Sequence, residues 1–169
     1  HNWLVEAASS SYTAAAPGAA LELAAAVLRT GGAWCAAGLC GAECALSSPL
    51  LIADALEAML TPRLAEIASD AHCAALTVIL APGGAPAAVS QTLLASVAAR
   101  VELMPPHSRE AAAVCCTVCE GLARSAVLPV LELALAQWTN LLLRATESLA
   151  LDDAGMALDC WAMLAETAA

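Results

Sequence analysis

Apolar residues return along this chain every three or four positions, and proline interrupts them at intervals. Leu64, Ile67, Ala68, Ala71, Ala75, Val78 and Ile79 form one stripe; Ala111, Val114, Cys115, Val118, Cys119 and Leu122 form another. Residues at this spacing share one face of an α-helix. No run alternates with the period of two that a half-buried strand requires. Pro17, Pro49, Pro62, Pro86 and Pro129 each open an apolar-periodic run, and proline suits the first helical position, where its missing N–H has no partner to lose. In Ser48-Pro49 and Thr61-Pro62 the hydroxyl is placed to cap free amides. Ser108 and Asp152 offer caps for two further helices, each followed by an acidic residue in the first turn. The pattern predicts an all-α fold of seven or eight helices joined by short turns, after an irregular N-terminal segment over residues 1–16.

The predicted helices also pair. Those starting near 49 and 62, near 86 and 108, and near 129 and 152 make three hairpins whose first members are roughly 37 and 43 residues apart, the size of a HEAT or armadillo unit. Residues 17–169 are therefore expected to form an α-solenoid of antiparallel, HEAT/armadillo-like helix hairpins. A single helical bundle is the alternative, because imperfect helix pairs also occur in bundles.

Composition narrows the kind of core. Hydrophobic residues make up 61% of the 169, but much of that is alanine; aromatics are 3%, with no Phe. Such small side chains fill little volume, so backbones must come close, which suits helix against helix. All six basic residues are Arg, and the joint absence of Lys and Phe fits a GC-rich coding sequence. The formal charge of −10 argues against nucleic acid as a direct partner, since phosphates are neutralised by Lys and Arg. It suits a basic protein partner, or simply solubility. The mean hydropathy of +0.75 raises the question of a membrane. The uncharged run from Ala71 to Ala99 is broken by APGGAP, however, and neither flank is long enough to span a bilayer, so no membrane insertion is expected. The chain begins at His1 without a signal-peptide layout and reads as an interior piece of a larger protein.

Four segments then occur in order. Gly32-Ala-Trp34 precedes the Leu-rich PLLIADALEAML; Glu66, Ala68, Ser69, Asp70, Cys73 and Leu76 follow; then Cys115, Val118, Cys119 and Glu120; and last Leu158, Cys160, Trp161, Leu164 and Glu166. Together they resemble the importin-β superfamily of nuclear transport receptors, the karyopherins, closest to the branch of transportin-SR and importin-13. In that branch a G-x-W helix precedes a Leu-rich one. Helices reading close to E-x-A-S-D-x-x-C-x-x-L, C-R-x-F-T-E and F-x-F-W-Y-x-L-x-E come after it. The chain departs from the pattern where family aromatics become Val118, Leu158 and Cys160, and in the short Gly/Pro-rich loop after Leu80.

The resemblance implies a non-enzymatic receptor without a cofactor, carrying protein cargo and shuttling between nucleus and cytoplasm. Ran GTPase and nucleoporins would be met through the full-length protein. The second helix of each hairpin would line a concave groove, presenting Glu66, Asp70, Glu120, Asp159 and Glu166, with Glu110 beside them, to basic or arginine/serine-rich cargo. Trp34 and Trp161 are expected to be structural anchors between Ala-rich helices. Another HEAT or armadillo scaffold, and a helical accessory domain of an enzyme, are the rival readings.

No catalytic or metal-binding constellation emerges. Of eight cysteines, Cys116 and Cys119 have a spacing that zinc sites and redox enzymes share, and Cys40 and Cys44 could complete four ligands. Yet Cys116 and Cys119 lie inside a helical run with no strand before it, unlike the turns of zinc sites or the helix start of a thioredoxin-like motif. His72 stands two residues from Asp70 and off its helix face. His1 is at the chain end, and His107 follows Pro105-Pro106 in a turn. Ser69, Ser90 and Ser125 lack a nucleophile-elbow context, and Gly83-Gly84 lacks the lysine of a phosphate loop.

Overall fold

The computed structural model describes residues 17–105, 107–124, 128–150 and 153–167; the expected irregular segment over 1–16 and the Asp152 cap lie outside them. The helices are α1 (Pro17–Ala36), α2 (Ala42–Leu46), α3 (Ala55–Ala58), α4 (Ala65–Leu80), α5 (Ala87–Val101), α6 (Arg109–Arg124), α7 (Leu128–Ser148) and α8 (Ala154–Thr167), with a π-helical turn, Leu50–Asp54, leading into α3. Among the described residues there is no strand. The all-α expectation therefore holds at the level of helix type.

Helix ends follow from local chemistry. Past α1, the N–H groups of Gly38 and Leu39 donate to the carbonyls of Cys35 (3.0 Å) and Trp34 (2.9 Å), with Gly38 at φ +70°. This is the Schellman closure that an achiral residue permits. After α4, Ala81-Pro82-Gly83-Gly84 makes a type II turn, closed by Gly84 N–H on the Ala81 carbonyl at 2.8 Å with Gly83 at φ +77°. Ser108 caps α6 as expected, accepting from the Ala111 N–H at 3.1 Å. At the two other expected caps the carbonyl acts in place of the hydroxyl. Thr61 O accepts from Leu64 (2.8 Å) and Ala65 (3.0 Å), and Ser48 O accepts from Leu51 (3.2 Å). Residues 62–64 form a turn of their own, so α4 starts at Ala65 rather than at Pro62.

Each helix of the series α1, α4, α6 and α8 packs on the next. α5 packs on α7 and at most marginally on α6, so the expected hairpin of the helices near 86 and 108 does not form, and Arg100 of α5 pairs with Glu57 of α3. Arg109, at the start of α6, reaches Glu66 near the start of α4 (3.5 Å) and Asp153 just before α8 (3.4 Å). The N-terminal ends of α4, α6 and α8 therefore lie together. Because α6 has α4, α7 and α8 as neighbours, it buries more than its expected stripe: Ala112 and Cys116 are covered as well.

Close approach depends on two glycines. A Cβ on Gly32 of α1 would lie 2.9 Å from Ala71 Cα, and one on Gly121 of α6 would lie 2.8 Å from Leu80 Cβ. Neither obstacle is the far end of a flexible side chain, so the helices would have to separate. Gly32→Ala and Gly121→Ala are each expected to lower stability, because overpacking of about 1–3 kcal/mol exceeds alanine's helical advantage of about 1 kcal/mol. Gly155→Ala in α8, with nothing within 4 Å of the new methyl, serves as the control and should be neutral or mildly stabilising. Urea unfolding of the three variants checks this, and equal midpoints for all three would contradict the tight packing.

Candidate functional site

The five carboxylates singled out in the sequence lie on three helices that pack in series. Glu66 and Asp70 are one turn apart on α4 and exposed. Asp70 flanks a shallow groove of about 390 Å³ between α1 and α4, lined also by Leu28, Arg29, Ala33, Ile67 and Ala74, with Gly32 and Ala71 where the two helices approach. Glu66 already shares Arg109 with Asp153. On α6, Glu120 is half-buried and takes a 3.0 Å bond from Arg124 one turn on. Arg124 stands in the last turn, where a cation also suits the helix dipole; an exposed pair of this kind is worth about 0.3–0.5 kcal/mol. Asp159 and Glu166 are exposed and two turns apart on α8. The five do not converge on a point. They are spread over α4, α6 and α8, and Glu66 and Glu120 are each paired with an arginine.

The two tryptophans expected as anchors differ from each other. Trp34 is 40% exposed. Trp161 is half-buried against the core, and its indole N–H donates to Thr146 Oγ1 at 3.2 Å. Among the described residues the indole that fills the interior is Trp138 of α7, 0% exposed, which sequence reasoning passed over. Its signal was present in the helical spacing of Leu135, Trp138, Leu141, Leu142 and Ala145.

Cys115, Cys116 and Cys119 face inward as small packing groups, with Cys160 of α8 against them. The Cys160 thiol donates to the Cys116 carbonyl, and Cys116 donates to the Met156 carbonyl, both at 3.8 Å. Hydrogen bonding with Cys160, then burial, pushes the Cys116 and Cys119 thiols up. Burial pushes Cys115 up to about 12. Cys40 and Cys44 form a separate contact at the other end of the chain. Among the described residues no three His, Cys, Asp or Glu side chains are arranged to hold a metal ion.

His72 points inward while Asp70 points out, as their separation of two residues requires. Its Nδ1 lies 2.8 Å from the Leu51 carbonyl in the π-helical turn, which makes Nδ1–H the donor. Nε2 has no hydrogen-bond partner among the described residues. Burial opposes the charged form and lowers the His72 pKa to about 4, although the Leu51 carbonyl works the other way.

No helix of the described residues is long and apolar enough to cross a membrane. No protein-family model, curated protein or solved structure matches the chain.

Proposed function

We propose that this chain is a stretch of an α-solenoid that binds a basic protein partner along α4, α6 and α8. The observation that carries this reading is the packing of α1, α4, α6 and α8 in series, with Arg109 tying the starts of the last three. α1 packs chiefly on α4 and makes no comparable contact with α7 or α8, which favours an open stack over a closed bundle. The formal charge of −10 and the solvent-facing positions of Glu66, Asp70, Asp159 and Glu166 favour a cationic ligand.

The sequence resemblance supplies the class within this reading: a karyopherin that carries basic or arginine/serine-rich cargo, exchanges it under control of Ran, and shuttles between nucleus and cytoplasm. Binding of a fluorescent arginine/serine-rich peptide, followed by anisotropy at low and at physiological salt, tests the acidic face. Affinity should fall as salt rises. Neutralising Asp70, Asp159 and Glu166 together should weaken it several-fold, at about 0.2–1 kcal/mol for each exposed charge. Equal affinity for an acidic peptide would remove the acidic-groove reading. Capture of Ran in its GTP state by the full-length protein separates a transport receptor from another HEAT scaffold, which would bind a partner but not Ran.

A further inference from the structure

Cys44 and Cys73 are the half-buried cysteines, and the other six are buried. Cys115, Cys116, Cys119 and Cys160 are at most 4% exposed and closed off while α6 and α8 stay packed. Cys35, Cys40 and Cys44 gather where α1 ends and α2 begins. Cys40 Sγ lies 3.0 Å from Cys44 Sγ, and the Cys35 thiol bonds Cys40. Cys40 is buried, but Cys44 is half-buried and opens this group to solvent. The backbone around the pair can adjust. Gly38 has just turned the chain at φ +70°, and Gly41, between the two thiols, has open space where a Cβ would stand. The two sulfurs need to close by only about 1 Å to reach a bonding distance of about 2.05 Å.

We propose that Cys40 and Cys44 are a dithiol modification site, oxidised to a reversible intrachain disulfide by low-molecular-weight disulfides of the glutathione class. The Cys44 thiolate attacks one sulfur of the small disulfide, forming a mixed disulfide and expelling one small thiolate. Cys40 then attacks Cys44 Sγ, forming the intrachain bond and expelling the second. Both cysteine protons end on the two small thiols, and two electrons pass from the cysteine pair to the small disulfide. Cys44 acts first because solvent reaches it, and Cys40 resolves from behind it.

The environment sets slow formation and a durable product. Burial holds Cys40 above its ordinary pKa, and the hydrogen bond with Cys40, then burial, raises Cys44 to about 11. Little thiolate is present at neutral pH to start the exchange. Both thiols are shifted upward on balance, the opposite of the thiolate-stabilised arrangement that makes a disulfide strongly oxidising. The Cys40 N–H also donates to the Trp34 carbonyl at 3.2 Å, so the bridge would fasten the C-terminal end of α1 to α2.

The test is equilibration of the intact chain in buffers of rising glutathione disulfide, followed by alkylation and peptide mass spectrometry. The expected result is a Cys40–Cys44 peptide lighter by two hydrogens, while Cys73, Cys115, Cys116, Cys119 and Cys160 are still alkylated after denaturation. In Cys40→Ser the reaction should stop at Cys44 as a mixed disulfide, and in Cys44→Ser it should not begin. Full alkylation of Cys40 and Cys44 at every ratio would overturn the proposal. So would oxidation spread over all eight cysteines in step with loss of helical circular dichroism.

Discussion

Trp138→Ala is expected to lower the unfolding free energy by about 3–5 kcal/mol, the range for removing a buried large aromatic. The indole is 0% exposed on α7, which packs on α5, α6 and α8. Those helices contribute mostly Val, Cys and Ala to the core, with Leu94 and Leu122 as larger side chains, and such short groups refill little of the space an indole leaves. The cavity would persist, which places the cost toward the upper part of the range. Trp34→Ala should cost far less, because that ring is 40% exposed and has already given up part of its burial. Trp161→Phe should lose about 1 kcal/mol with the bond to Thr146. Urea midpoints at unchanged slope read all three. Equal losses for Trp138→Ala and Trp34→Ala would refute the division between interior and surface indoles.

Acid is expected to weaken the fold through His72. Its folded pKa of about 4 lies below the ordinary value of 6.5, so as pH falls the unfolded chain takes up the proton first. Stability from this residue is complete above pH 6.5, declines between 6.5 and 4, and is lost below the folded pKa. The total is about 3 kcal/mol. The physical source is an imidazole enclosed between α4 and the π-helical turn, with only the Leu51 carbonyl to answer it; an imidazolium there would be a buried charge without a counterion. His72→Leu should remove this slope whatever it does to stability at neutral pH. The decisive measurement is the difference between wild-type and variant unfolding free energies from pH 7 to pH 4. Parallel curves would show that His72 does not titrate this way.

Much of this architecture was legible in the pattern of residues, and the reason is local. The stripes on α4 and α6 follow from a period of 3.6, and the turn after α4 follows from Pro82-Gly83. The Ser108 cap follows from a hydroxyl three residues before a free amide. The carboxylates on α4 and α8 were legible as exposed for the same reason: Glu66 and Asp70, one turn apart, share a face without needing any other helix to define it.

Partnership between helices was decided elsewhere. Nothing within α6 foretells that Arg109 stands between Glu66 and Asp153 or that Cys116 is covered by α8, whereas the Glu120–Arg124 pair, one turn apart, is local to the helix. The choice among tryptophans was open too, since a helical stripe marks a buried side only when a neighbour occupies it. Trp138 has that neighbour, and Trp34 keeps an open edge. The Cys40–Cys44 contact depends on the turn at Gly38, and His72 met the Leu51 carbonyl only because the chain between them makes a π-helical turn. Helix type, helix ends and the sign of the surface charge belong to residues within a few positions of one another. Which indole is buried, which imidazole loses its water and which thiols meet between α6 and α8 belong to contacts between segments far apart in the chain, and those exist only once the helices have packed.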